Sequence, residues 1–138
     1  GHGFTYSGHP IACAAALATL DILEKQNFVS RVANDIGPYL QSKWHELSDH
    51  EIVGHIRGAG MLGSIELVRD NITNERLEPD QKAGGICREF CIANNLVMRA
   101  VGDSMIISPP FVCSHEDIDL LIERARKSLD QTAAYYSV

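Results

Sequence analysis

The residues predict an α+β fold, a small and mostly antiparallel sheet covered by helices. Three features lead there. Two pairs of short apolar runs flank glycine turns, at residues 52–68 and 96–108. Three stretches outside them carry apolar residues every three to four positions. The resulting order is helix, helix, two strands, helix, two strands, helix, without internal repeat or low-complexity segment.

Residues 1–8 read as a loop with three glycines, and Ser7 and His9 are both candidate caps for the helix that follows. Pro10 falls in the first turn, where its missing N–H is tolerated. From Ile11 to about Gln26 the chain is built of good helix formers, and its many alanines predict close packing on more than one side. Phe28, Val29, Val32, Ile36, Leu40, Trp44 and Leu47 then mark one helical face, with a kink or break expected at Gly37-Pro38. Residues 52–57 and 61–68 form a strand pair around Gly58-Ala59-Gly60, and 69–79 form a polar surface loop. A helix is expected from Asp80 to about Ala93, with Ile86 and Phe90 inward and Ile92 a further candidate. Leu96–Ala100 and Met105–Ser108 are strands around a Gly102-Asp103 turn, closed by Pro109-Pro110. Ser114 with Asp117 three residues on has the pattern of a capping box, opening a helix whose stripe is Ile118, Leu121, Ile122, Ala125 and Leu129.

Composition narrows the function. The chain has 138 residues, 45% of them hydrophobic and 22% charged, which is one ordinary globular domain or one domain with an attached element. Twelve Lys and Arg against eighteen Asp and Glu give a net charge of −6, with no basic stripe for a nucleic acid. No apolar run has the length of a membrane span. Four cysteines do not make a disulfide scaffold, and reduced thiols in a cytoplasm are the expectation.

Several motifs compete with plainer readings. Gly58-Ala59-Gly60-Met61-Leu62-Gly63 matches G-x-G-x-x-G, but a strand-like alternation follows where a nucleotide site needs a helix N-terminus. A glycine-rich link between strands fits better. Cys87 and Cys91 share a helix face, without the second ligand pair a zinc site needs, so they read as buried thiols. The six histidines are scattered, and no metal site is expected. Arg99, in a short apolar strand, is either an edge residue whose stem covers apolar surface or a planar fork for a carboxylate. Gly3-Phe4-Thr5-Tyr6-Ser7-Gly8 is rich in hydroxyls and leads into a helix, an arrangement able to bind an anion.

Taken together, these segments resemble the class III aminotransferases, pyridoxal-phosphate enzymes of fold type I. The resemblance rests on Gly3-Phe4-Thr5-Tyr6-Ser7-Gly8-His9-Pro10 before an Ala-rich helix and on Ile56-Arg57-Gly58-Ala59-Gly60-Met61-Leu62-Gly63. It continues through Asn95-Leu96-Val97-Met98-Arg99-Ala100, Ile107-Ser108-Pro109-Pro110-Phe111 and Glu116-Asp117-Ile118-Asp119. The Tyr-Ser-Gly-His-Pro form with a later Met98-Arg99 is closest to the branch that moves amino groups from ω-amino acids or amines to pyruvate. Branches acting on acetylornithine or 4-aminobutyrate tend to carry Asn in place of His9.

The resemblance implies several things. Phe4 and Thr5 would bind the phosphate of pyridoxal 5'-phosphate held by the neighbouring subunit of a homodimer. Arg99 would grip the substrate carboxylate and swing aside for an uncharged amine. Residues 1–27 would belong to a large domain as phosphate loop and linking helix, and 28–138 would be the small C-terminal domain. The family's cofactor-bearing lysine lies upstream of the loop, whereas Lys25, Lys43, Lys82 and Lys127 all follow it. The expectation is therefore a C-terminal fragment, inactive by itself, of an enzyme joining an amino donor and a 2-oxo acid. Freed from a large domain, the first loop and helix should expose apolar surface and invite self-association. The alternative from another class is a stand-alone α+β binding or regulatory module.

Overall fold

The computed structural model describes residues 3–80 and 82–138; Gly1, His2 and Gln81 lie outside the described residues. The helices are α1 (Pro10–Lys25), α2 (Phe28–Arg31), α3 (Gly37–His45), α4 (Ala83–Ala93) and α5 (His115–Tyr136). The strands are β1 (Val53–Ala59), β2 (Leu62–Leu67), β3 (Arg99–Val101) and β4 (Ser104–Ile107). They form one antiparallel sheet in the order β1-β2-β4-β3. The α+β class expected from the sequence is the class observed.

The core lies between one sheet face and the helices. Trp44, Ile36 and Leu40 meet Ile65 and Leu67 of β2, Met105 and Ile107 of β4, and Ile118 and Leu129 of α5, all buried. Alternate residues of β2 are buried and exposed, as expected of a sheet covered on one face.

Gly37-Pro38 neither breaks nor splits its helix. A π-helical turn, Val32–Ile36, joins α2 to α3. Pro38 has no N–H for the carbonyl of Asn34 and its ring crowds that carbonyl, so the helix widens just before it. A Cβ at Gly37 would lie 2.1 Å from the Val32 carbonyl oxygen and 3.2 Å from Gly60 Cα, so only glycine fits between the wide turn and the β1–β2 hairpin.

The same hairpin explains the glycine pattern. Gly58 and Gly63 face each other in the ladder. A Cβ at Gly58 would meet the Gln41 amide oxygen at 2.2 Å, and one at Gly63 the Trp44 indole at 2.7 Å. Gln41 Nε2 donates to the carbonyls of Gly60 (3.0 Å) and Leu62 (2.9 Å), tying α3 to the turn, where Gly60 has φ +54°. These glycines bring helix and sheet together, and β2, not a helix, follows them.

Three expectations need correction. Strand β3 runs Arg99–Val101, not Leu96–Ala100, because Leu96–Met98 have no ladder partner among the described residues. Helix α4 starts at Ala83, not Asp80, and its inward face is Ala83, Gly84, Cys87 and Cys91. Ile86 and Phe90 are half-buried and Ile92 is exposed, because small residues let α4 lie close on α5 and the β3–β4 turn. A Cβ on Gly84 would sit 2.1 Å from the Gly102 carbonyl. Helix α1, expected to be packed on more than one side, has no buried residue. Ile11, Leu17, Leu20 and Ile22 are all exposed, so the exposed apolar surface expected of the first helix is present. The capping box forms as expected: the Asp117 N–H donates to Ser114 Oγ (3.1 Å) and the Ser114 N–H to the Asp117 carboxylate (2.9 Å).

Candidate functional site

The first candidate segment is the loop before α1. Ser7 folds it: the Phe4 N–H donates to Ser7 Oγ (3.1 Å) and the Ser7 N–H returns to the Phe4 carbonyl (2.9 Å). The His9 N–H donates to the Tyr6 carbonyl, Gly8 takes φ +73°, and the Tyr6 and His9 rings lie 5.6 Å apart. Ser7 is therefore a turn-forming residue, and neither candidate cap makes a side-chain bond to α1. Phe4 is 79% exposed, and the Thr5 hydroxyl has no partner among the described residues.

The second is Arg99, the first residue of edge strand β3, paired in register with Ile106. Its neighbours alternate: Leu96 and Met98 are buried, whereas Val97 is 89% exposed. That alternation sends Arg99 to the open side, where it makes no hydrogen bond or ion pair among the described residues. A guanidinium so placed can accept a carboxylate with two parallel N–H bonds. Among the described residues no hydrogen bond or ion pair links the loop at 3–9 to Arg99, so the two candidate segments stand apart in this chain.

The sequence reading missed two residues that fix the turn after β3 and the loop after β4. Asp103, read only as part of a turn, is buried, and its carboxylate accepts the Ala83 N–H at the start of α4 (3.1 Å). Burial pushes its carboxyl above the usual carboxylate range, against the pull of the Gly84 and Ala83 N–H groups. Its carbonyl accepts the Leu67 N–H (2.9 Å). Arg31 donates to the carbonyls of Phe111 and Cys113, fastening the loop after β4 onto α2. Between them lies an apolar cleft of about 440 Å³ lined by Phe28, Val32, Pro38, Gln41, Gly60 and Phe111. Cys87 and Cys91 are buried as expected; the Cys91 sulfur beside Cys87, together with burial, raises the Cys87 thiol. Among the described residues no cluster could hold a metal, and no helix is long and apolar enough to cross a membrane.

A small antiparallel sheet under helices, preceded by a hydroxyl-bearing loop and edged by an exposed arginine, has clear counterparts. The family pattern "Aminotransferase class-III" matches residues 1–129. The chain belongs to this family. It is 53% identical over 133 residues to a putrescine–pyruvate aminotransferase of Pseudomonas aeruginosa, covering 96% of this chain and 29% of that protein. It is 40% identical to the mitochondrial gamma aminobutyrate transaminase 1 of Solanum lycopersicum, covering 95% of this chain and 25% of that protein. Among solved structures, a transaminase studied with L-alanine superposes with TM-score 0.90 at 35% identity, over 98% of this chain and 32% of that one. A thermostable omega transaminase variant from Pseudomonas jessenii gives 0.91 at 33%, over 100% and 30%. The chain thus spans less than a third of the length of the relatives it matches.

The donor set at the loop suits the family's cofactor. An unpartnered hydroxyl beside backbone N–H groups, ahead of a helix, fits one edge of a phosphate. None of the chain's four lysines precedes the loop.

Proposed function

We propose that these residues are the C-terminal portion of a pyridoxal-phosphate transaminase, and that the whole enzyme moves an amino group from an ω-amino acid or amine to a 2-oxo acid such as pyruvate. In this reading residues 1–27 belong to the large domain as phosphate loop and linking helix, and 28–138 form the small domain. The observation that carries it is Arg99, presented at a sheet edge with its guanidinium unpaired among the described residues, in a chain 53% identical to an enzyme named for putrescine and pyruvate.

When bound, the cofactor acts as the electron sink and carrier for the amino group. The residues of this chain orient and select. Phe4 and Thr5 would bind the phosphate of the cofactor held by the partner subunit of a homodimer, with Thr5 supplying its hydroxyl and N–H, since the Phe4 N–H is already donated to Ser7 Oγ. Arg99 would receive the carboxylate of an amino or 2-oxo acid, and its exposed side chain is free to turn away when the donor is an uncharged amine. The chain alone is inactive in this reading, because no lysine precedes the loop to carry the cofactor.

The test is Arg99→Ala in the full polypeptide. Loss of a bidentate charge-assisted pair costs about 1.5–3 kcal/mol, or roughly 10–150-fold in kcat/KM for a carboxylate-bearing donor. A neutral amine should lose less than about threefold. Equal losses for both donors would make Arg99 structural. The alternative, a stand-alone α+β binding module, predicts no amino transfer by any form of the protein.

A further inference from the structure

Strand β3 has only three residues and pairs on one side alone, so little of the ladder fixes Arg99. What holds this edge is the β3–β4 turn, and the turn is fixed by Asp103. Its carboxylate accepts the N–H of Ala83, the first residue of α4, at 3.1 Å, and its carbonyl accepts the Leu67 N–H at 2.9 Å. Lys82, at the cap position of α4, makes no side-chain cap, so Asp103 caps that helix from across the fold. Gly84 lets the seat be tight: any Cβ there would overlap the Gly102 carbonyl oxygen, and it would also touch Ala100, the residue after Arg99.

We propose that Asp103 is a positioning residue for Arg99: by seating the β3–β4 turn on the start of α4, it sets where the Arg99 guanidinium meets a substrate carboxylate. The inference rests on the proposed role of Arg99. Asp103 lies four residues from Arg99, across the Gly102 turn, and its carboxylate is spent on α4, so it acts through the backbone and touches no substrate in this account. Leu67, at the end of β2, and Ala83 are anchored in the core, which gives the turn two fixed points in different elements.

The experiment compares four variants of the cofactor-loaded full polypeptide: Arg99→Ala, Asp103→Ala, Asp103→Asn and Gly84→Ala. The readout is the ratio of kcat/KM for a carboxylate-bearing donor to that for a neutral amine. Asp103→Ala leaves the Ala83 N–H without its acceptor and frees the turn, and it should lower the ratio about tenfold, a modest share of the ~100-fold that a misplacement of about 1 Å can cost. Gly84→Ala pushes the turn off α4 with Asp103 intact and should lower the ratio similarly, which keeps the test open if Asp103→Ala folds poorly. Asp103→Asn retains an oxygen acceptor and should restore the ratio to within about twofold of the parent. If Arg99→Ala shifts the ratio while Asp103→Ala and Gly84→Ala reduce both donors equally, Asp103 is only structural and the proposal fails, with the role of Arg99 intact. If Arg99→Ala itself leaves the ratio unchanged, both readings fall.

Discussion

Replacing Gly63 by alanine tests whether the glycine pattern serves packing. The added Cβ would stand 2.7 Å from Trp44 Nε1, 2.8 Å from Trp44 Cε2 and 3.0 Å from Ile107 Cγ1, against an ordinary contact of 3.4–4 Å. The indole would have to retreat by roughly 0.7 Å in a close-packed core, yet Trp44 is fully buried and Ile107 nearly so. Overpacking of this kind costs about 1–3 kcal/mol, and a clash on two sides belongs in the upper half, about 2–3 kcal/mol. For a chain of this length that is a fall in melting temperature of roughly 6–12 °C. Gly85→Ala is the control: nothing lies within 4 Å of its Cβ and it sits inside α4, so about 0.4–1 kcal/mol of stabilisation is expected. Urea unfolding followed by the fluorescence of Trp44, the single tryptophan, reads both. Gly63→Ala within about 0.5 kcal/mol of the parent would refute the packing account of this hairpin.

Ser114→Ala removes the cap of α5 and should destabilise by about 1 kcal/mol in the same assay. Two carboxylates predict opposite pH trends. Asp103, raised by burial, contributes stability that is complete below its unfolded pKa of about 3.9 and is lost as pH rises through its folded value, so Asp103→Asn should flatten that part of the profile. Asp117, held low by the Ser114 N–H, contributes stability present above about pH 3.9 and lost as pH falls through its folded value, and Asp117→Asn should flatten the acid limb. Urea midpoints between pH 3 and 7 separate the two. A thiol reagent should modify Cys13 in the native protein, while Cys87 and Cys91 react only on unfolding.

The sequence made visible what is local. The Ser114–Asp117 cap, the strand pairs at their glycine turns and the apolar stripe of α5 each arise from residues within a few positions of one another, and each was found. The features missed join distant segments. The start of α4 depends on Asp103, twenty residues on, whereas Asp80, a favoured cap type, gives its carboxylate to Lys82. The inward face of α4 is cysteine and glycine, because the available depth is set by Gly102 and α5. Pro38 signals a disturbed helix, but that the helix widens into a π-turn instead of splitting depends on Gly37 and the hairpin beside it. For the candidate site, Thr5 and Arg99 stood out only through the ordered set of motifs around them; isolated, each is an ordinary loop or edge residue.

The most direct test of the central proposal is amino transfer itself. The full polypeptide carrying this chain, loaded with pyridoxal 5'-phosphate and given a diamine or ω-amino acid with pyruvate, should form alanine, and residues 1–138 alone should form none. Alanine produced by the 138-residue chain, or no transfer by the loaded full polypeptide with any amine or ω-amino acid offered, would contradict it.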